Sequence, residues 1–141
     1  MMRSILVLVC VLGFQISYDA RAQEVNVVIE NIKSDESISG YVEGMDAATM
    51  SHHRVVVYVH TDIWYIHPYV GQGEGLSWAA IRPDGTWVIE TVRRRFRADR
   101  IGALVINENY PAPNTTRSLD RLQSVAKSVK ILTGTEDYGK L

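Results

Sequence analysis

The sequence predicts an all-β protein: a two-sheet antiparallel β-sandwich with immunoglobulin-like architecture and no disulfide. Short β-branched and aromatic segments recur between clusters of turn-forming residues, and no helices alternate with them. Seven or eight short strands in that pattern are typical of two packed sheets rather than of an α/β fold. The single cysteine, Cys10, lies outside the predicted domain, so the hydrophobic core must carry the stability.

The first 22 residues are predicted to be an export signal. Arg3 gives a positive start, Ile5–Phe14 is an uninterrupted apolar stretch, and Ala20–Ala22 matches the small-x-small cleavage pattern. This stretch has about half of the roughly 20 residues that a transmembrane helix needs, so a cleaved leader is favoured over a membrane anchor. Cys10 follows two bulky residues, which does not suit lipidation.

Cleavage after Ala22 would leave 119 residues (141 less the leader), enough for one domain. We expect a sandwich domain over residues 23–134, a loose C-terminal tail over residues 135–141, and a secreted or periplasmic location. The mature chain would carry 13 basic and 15 acidic side chains. This balance gives no indication of a nucleic-acid partner, and no membrane span is expected after cleavage.

The strands are predicted from β-branched content and alternation, each ending at a turn signal. In chain order they are Val25–Ile29, Ser37–Val42, Arg54–Thr61, Trp64–His67, Leu76–Ile81, Thr86–Val92, Ile101–Ile106 and Lys127–Thr133. Arg54–Thr61 has apolar residues on both faces, which indicates a central strand. The Arg82–Gly85 turn predicts that the strands on either side of it pair as a hairpin. Short helical turns are expected near Ala47–Met50 and Ser118–Gln123.

Several of these segments together resemble one family. The matching segments, in order, are Ile38–Gly44, Val56–Val59, Thr61–Tyr65 with Pro68–Tyr69, Asp84–Trp87, Ile101–Val105 and Asn109–Pro113. The chain resembles small secreted β-sandwich modules that occur beside the catalytic domains of bacterial polysaccharide-degrading enzymes or as stand-alone exported proteins. The resemblance covers roughly Ile38 to Leu132 and implies a non-catalytic accessory module linked to carbohydrate.

Trp64, Tyr65 and Tyr69 lie around one turn and are candidate ligand-binding residues. Exposed aromatic rings can stack on the apolar faces of sugars with few torsions to freeze. The alternative is that these rings pack in the core, which is the expectation for Trp87 and Trp78. If Trp64 and Tyr69 are exposed and nearly coplanar, a polysaccharide platform is favoured. If they are buried, a structural or protein-interaction component of the periplasm or cell surface is favoured.

A basic cluster farther along the chain consists of Arg93, Arg94, Arg95, Arg97 and Arg100, and its first four members are the second set of candidate ligand-binding residues. Guanidinium groups pair bidentately with carboxylates, sulfates and phosphates, which suits an acidic polysaccharide. The alternative is a solvated loop whose charge is balanced by nearby carboxylates.

Catalytic and metal-binding motifs do not stand out in the sequence. It has no Gly-x-Ser-x-Gly elbow, phosphate loop or His-Glu-x-x-His, and its carboxylates lie at predicted turns or surfaces. His60 and His67 are the pair considered for a metal, but no further ligand has recognisable spacing beside them. We therefore expect no enzyme activity, no cofactor and no metal.

Overall fold

The structure, a computed structural model, is an all-β sandwich of two antiparallel sheets, as the sequence predicts. It describes residues 22–33, 36–69, 76–91 and 97–134. The predicted leader up to residue 21 and the predicted tail at 135–141 lie outside the described residues.

Nine strands and two short helices make up the described part of the chain. They are β1 (Asn26–Lys33), β2 (Ser37–Glu43), α1 (Ala47–Met50), β3 (His53–His60), β4 (Trp64–Ile66), β5 (Ala79–Ala80), β6 (Thr86–Glu90), β7 (Arg100–Asn107), β8 (Thr115–Thr116), α2 (Asp120–Val125) and β9 (Ser128–Thr133). The small sheet has the order β1-β2-β6, and the large sheet has the order β8-β4-β3-β7-β9 with β5 beside β3. In the immunoglobulin convention, β1, β2 and β6 take the A, B and E positions, and β3, β7 and β9 take C, F and G.

The main core lies between the two sheets. Val55, Val57 and Val59 alternate along β3 and face the small sheet, because successive side chains in a strand point to opposite faces. Trp87 and Ile38 meet them from the small sheet, each with almost no exposed surface. The prediction that Trp87 belongs to the core is confirmed.

A second apolar cluster covers the outer face of the large sheet. Val56, Tyr58 and Leu104 point outward from β3 and β7 and pack under Leu119 and Leu122, which lie just before and within α2. β3 is therefore buried on both faces and has partners on both sides, which confirms that it is a central strand. The segment between β7 and β9 acts as a third layer over this sheet.

The predicted hairpin around Arg82–Gly85 is wrong in its pairing. The tight turn itself forms, with Gly85 at a φ of 86° and its N–H donating to the carbonyl of Arg82 at 2.8 Å. β5, however, joins β3 in the large sheet, whereas β6 joins β2 in the small sheet. The N–H of Val42 in β2 donates to the carbonyl of Gly85 at 2.9 Å, so the turn passes the chain from one sheet to the other.

Both predicted helical turns are present. α1 begins after Asp46, whose side chain accepts a hydrogen bond from the N–H of Thr49 at 2.7 Å. α2 begins at Asp120, two residues later than expected. In the part of the chain that the structure describes, neither helix has the length and apolar character needed to cross a bilayer.

Candidate binding site at one end of the large sheet

One row of the large sheet brings the predicted aromatic turn next to the arginine-containing segment. His60, at the end of β3, pairs with Trp64 of β4 on one side and with Arg100 of β7 on the other. Directly paired residues of antiparallel strands place their side chains on the same face, about 5 Å apart. The three side chains therefore lie side by side on the outer face, although Arg100 is far from the other two in sequence.

The ring of Trp64 is not solvent-facing, so of the two alternatives left open by the sequence, core packing is the one observed for this residue. Only 4% of the residue is exposed. The guanidinium carbon of Arg100 lies 5.1 Å from the ring centroid, and the ring of His60 meets it nearly edge-on at 5.0 Å. The ring packs over β7, where a Cβ built on Gly102 would make an ordinary contact with Trp64 Cζ3 at 3.7 Å. Trp64 therefore fills the outer core under a cationic cover.

Tyr65 and Tyr69 are half-buried and do not form a flat surface. Their ring centroids are 6.4 Å apart and their planes are inclined by 59°. Tyr65 packs against the core between the sheets, whereas Tyr69 packs against the outer core. The two tyrosines can offer parts of their rings to a ligand, but they do not extend a common plane.

A hydrogen-bonded cluster holds Arg100 over Trp64. Nδ1 of His60 lies 2.6 Å from Oδ1 of Asp99, and Nη2 of Arg100 lies 3.0 Å from Nε2 of His60. A ring nitrogen of His60 can donate to the carboxylate, and the guanidinium of Arg100 donates toward the imidazole from the other side. The hydrogen bond from His60 lowers the pKa of Asp99, burial partly opposes this shift, and the charge of Arg100 lowers the pKa further. Arg100 keeps 38% of its side chain exposed.

Other charged residues lie close to this row along the chain. Arg97 is exposed on the segment that leads into β7, and Arg117 is exposed directly after Thr116, the residue that pairs with Trp64. Asp62 also lies at this end, where hydrogen bonds from Thr61 and Tyr65 lower its pKa. No local pattern indicates Arg117 as a site residue, because β8 has only two residues and its pairing with β4 depends on the whole sheet.

The other three arginines proposed from the sequence, Arg93, Arg94 and Arg95, lie outside the described residues. His67, which the sequence placed beside His60 as a metal ligand candidate, is fully buried, and its backbone N–H donates to the carbonyl of Val57 at 2.8 Å. Within the described ranges, no group of three or more His, Cys, Asp or Glu side chains is placed to hold a metal ion.

No known protein family, curated protein or solved structure matches this chain. The resemblance to small secreted modules therefore remains a prediction that rests on its motifs. Two of those motifs have clear structural roles. Asp84 accepts hydrogen bonds from the N–H and hydroxyl of Thr86 in the turn before β6, and the carbonyl of Pro113 accepts one from the Tyr58 hydroxyl under the outer layer.

Proposed function

We propose that the protein is an exported, non-catalytic binding module that contacts polysaccharide at the end of the large sheet carrying Trp64 and Arg100. The proposal rests on one observation: the pairing of His60 with both of these residues places the predicted aromatic turn beside Arg100, a member of the predicted basic cluster. The sequence resemblance supports the same class of function.

The exposed groups at this end favour an acidic polysaccharide. Trp64 is buried, so sugar stacking on its face does not contribute. Arg97, Arg100 and Arg117 instead present guanidinium groups, which pair with carboxylates and sulfates in a bidentate geometry. Arg100 is held in place by His60 and by the ring beneath it, which reduces the side-chain entropy lost on binding. Tyr65 and Tyr69 would contribute partial ring contacts at the margin.

A protein-interaction component of the periplasm or cell surface is the second candidate function. The burial of Trp64 favours it, since an aromatic sugar platform would leave that ring open. β9 has a strand neighbour only on its β7 side in the described structure, and its Ile131 is 36% exposed. An edge of this kind can accept an added strand from a partner protein.

The test is electrophoresis of the mature protein, residues 23–141, in native gels cast with acidic or neutral polysaccharides. We expect acidic polymers to retard the protein, and we expect added salt to relieve the retardation because it screens exposed charges. Arg97→Gln and Arg117→Gln should each reduce it. Arg82→Gln is the matched control, because Arg82 is exposed near β5, which pairs with the beginning of β3 at the other end of the sheet.

Two results would count against the proposal. Equal loss in Arg82→Gln would mean that only net charge matters. Absence of retardation by every polymer would exclude polysaccharide and leave a protein partner as the leading function. Trp64→Ala does not serve as a binding variant here, because removing a buried ring changes stability as well as the surface.

A further inference from the structure

One carboxylate serves two basic side chains at the end of the large sheet that carries Trp64 and Arg100. Oδ1 of Asp99 lies 2.6 Å from Nδ1 of His60, and Oδ2 of Asp99 lies 3.9 Å from Nε of Arg100. The guanidinium of Arg100 is always charged, whereas the imidazole of His60 is charged only when protonated. The balance of charge around Asp99 therefore depends on whether His60 holds a second proton.

The contact between Arg100 and His60 suits the neutral form of the imidazole. Nη2 of Arg100 lies 3.1 Å from Nδ1 and 3.0 Å from Nε2, which places the guanidinium across the face of the ring. A neutral imidazole has a nitrogen lone pair that can face a cation. An imidazolium has none and repels a second cation at this distance. Protonation of His60 therefore breaks this contact.

Among the described residues, Asp99 and Arg100 are the charged groups in hydrogen-bond contact with His60. The elements around His60 add Tyr58 on the same face of β3, Asp62 in the turn after β3, uncharged Trp64 of β4, Arg97 before β7, Arg117 after β8, Asp120 at the start of α2 and uncharged Thr133 of β9. Burial raises the pKa of Tyr58, and hydrogen bonds from Thr61 and Tyr65 lower the pKa of Asp62. Neither of these two groups changes charge between pH 5 and 8.

Building on the function proposed above, we propose that His60 is a positioning residue that makes anion binding at Arg100 depend on pH. When His60 is neutral, Asp99 balances the charge of Arg100, and Nη2 faces the imidazole. When His60 is protonated, Asp99 pairs with the imidazolium, and Nη2 turns from the ring toward a sulfate or carboxylate of the ligand. The cluster then has one positive charge in excess, and Arg100 presents it, because 38% of its side chain is exposed against 15% for His60.

The gained charge outweighs the loss of the His60 contact. Without that contact the guanidinium is still supported by the indole of Trp64, whose centroid lies 5.1 Å from its central carbon. Arg100 therefore stays at the surface of the site while its hydrogen-bond donors become free. Affinity for a polyanion should rise as the pH falls through the range in which histidine gains its proton.

The test uses dextran sulfate as the polyanion, because its sulfate groups stay ionised between pH 7.5 and 5.5, and neutral dextran as the control polymer. The dissociation constant of the mature protein, residues 23–141, is measured at constant ionic strength. We expect it to fall about fivefold between pH 7.5 and 5.5, as for one added charge pair at a partly exposed site. Neutral dextran should show no such change.

His60→Gln and His52→Gln are the matched variants. Glutamine keeps a hydrogen-bonding side chain but does not titrate, so His60→Gln should lose most of the pH dependence. His52 also pairs with a carboxylate, that of Glu108 at 3.2 Å, but it lies just before β3, at the other end of that strand. Its replacement removes one titrating charge from the protein and should leave the pH dependence in place. Equal loss in the two variants would show that only net charge acts and would overturn the proposal.

A measurement without ligand separates this proposal from the proposed function. NMR of the parent protein follows the imidazole signals of His60 and the nuclear Overhauser contacts of the Arg100 side chain. We expect the contacts between Arg100 and His60 to disappear as His60 titrates, while those between Arg100 and Trp64 remain. If dextran sulfate does not bind at any pH, the proposed function fails, and these contacts still decide the role of His60. Contacts between Arg100 and His60 that persist at pH 5.5, with His60 protonated or not, overturn this proposal.

Discussion

Gly40, in the middle of β2, shows how one missing side chain fixes the packing of two strands. A Cβ at this position would overlap the backbone carbonyl of Val28 in β1 and would lie 3.1 Å from Trp87 Cζ2. We predict that Gly40→Ala lowers the free energy of unfolding by about 2–3 kcal/mol, because backbone atoms cannot yield as a flexible side chain can. Urea denaturation measures this change.

Gly102→Ala is the control for that substitution. Its nearest neighbour would be the end of the Leu119 side chain at 3.4 Å, which can move aside. We expect a change of less than about 1 kcal/mol, since alanine also restricts the unfolded chain. Equal losses at both glycines would show that strand propensity, rather than the contact with Val28, decides the outcome.

Because of Tyr58, we expect the free energy of unfolding to depend on pH in the alkaline range. Burial, with a smaller contribution from Tyr110, raises the pKa of this phenol well above its ordinary value of about 10. Above a pH of about 10, the Tyr58 phenol loses its proton in the unfolded chain but keeps it in the folded state. The free energy of unfolding is therefore expected to fall as pH rises through this range. Unfolding measured between pH 8 and 11 should show the decline.

Tyr58→Phe is the matched variant, and it should remove part of the alkaline slope. At neutral pH it should cost about 1 kcal/mol, because the carbonyl of Pro113 loses the hydroxyl that donates to it at 2.6 Å. An unchanged slope in this variant would assign the pH dependence to other groups.

Trp64 illustrates what the sequence could not settle. Its place beside a turn is visible in the sequence, but its burial depends on the cover that Arg100 provides, and Arg100 comes from a strand far along the chain. Trp64→Ala should therefore lower the free energy of unfolding by about 3–5 kcal/mol, as for a core tryptophan. Thermal and urea denaturation measure this change. A change near zero in the free energy of unfolding would contradict the burial of Trp64.

Among the elements, α1 is short and depends on its cap. Four residues cannot stabilise a helix alone, and the carboxylate of Asp46 satisfies one of its free N–H groups. We expect Asp46→Ala to lower the melting temperature, whereas Asp46→Asn, which keeps an acceptor oxygen, should change it little. If both variants lower the melting temperature by the same amount, the charge of Asp46 rather than its hydrogen bond stabilises this turn.

The strands themselves were largely predictable, and their partners were not. Alternation in β3 and the β-branched content of β2 and β7 mark these strands locally. The turn at Arg82–Gly85 is equally visible, yet its neighbours belong to different sheets because Gly85 bonds to β2. Pairing is decided by contacts between distant segments, which local patterns do not contain.

For the whole molecule, export is a direct test of the predicted leader. If the leader is removed after Ala22, the protein recovered outside the cytoplasm should begin at Gln23. N-terminal sequencing or intact mass measurement of that protein decides the matter. A mature chain that retains Arg3 would overturn the prediction, and an alanine-to-leucine change at Ala22 should slow processing.

The candidate site was foreseen in its parts but not in its arrangement. The sequence indicated the aromatic turn and the basic cluster separately, whereas the position of Arg100 over Trp64 follows from the pairing of β3 with β7.

The pairing of β3 with β7 also determines when, during synthesis, β3 can gain its main strand partner. Its nearest rung joins residues 40 positions apart, and β3 has no other long partner in its sheet. During synthesis the apolar residues Val55–Val59 are therefore complete long before β7 exists to cover their backbone groups. Non-local pairing of this kind slows folding to the millisecond-to-second range. Until β7 pairs with it, β3 is an unpaired apolar strand that is prone to aggregation. We expect the nascent chain to need protection from aggregation until residue 107 has emerged.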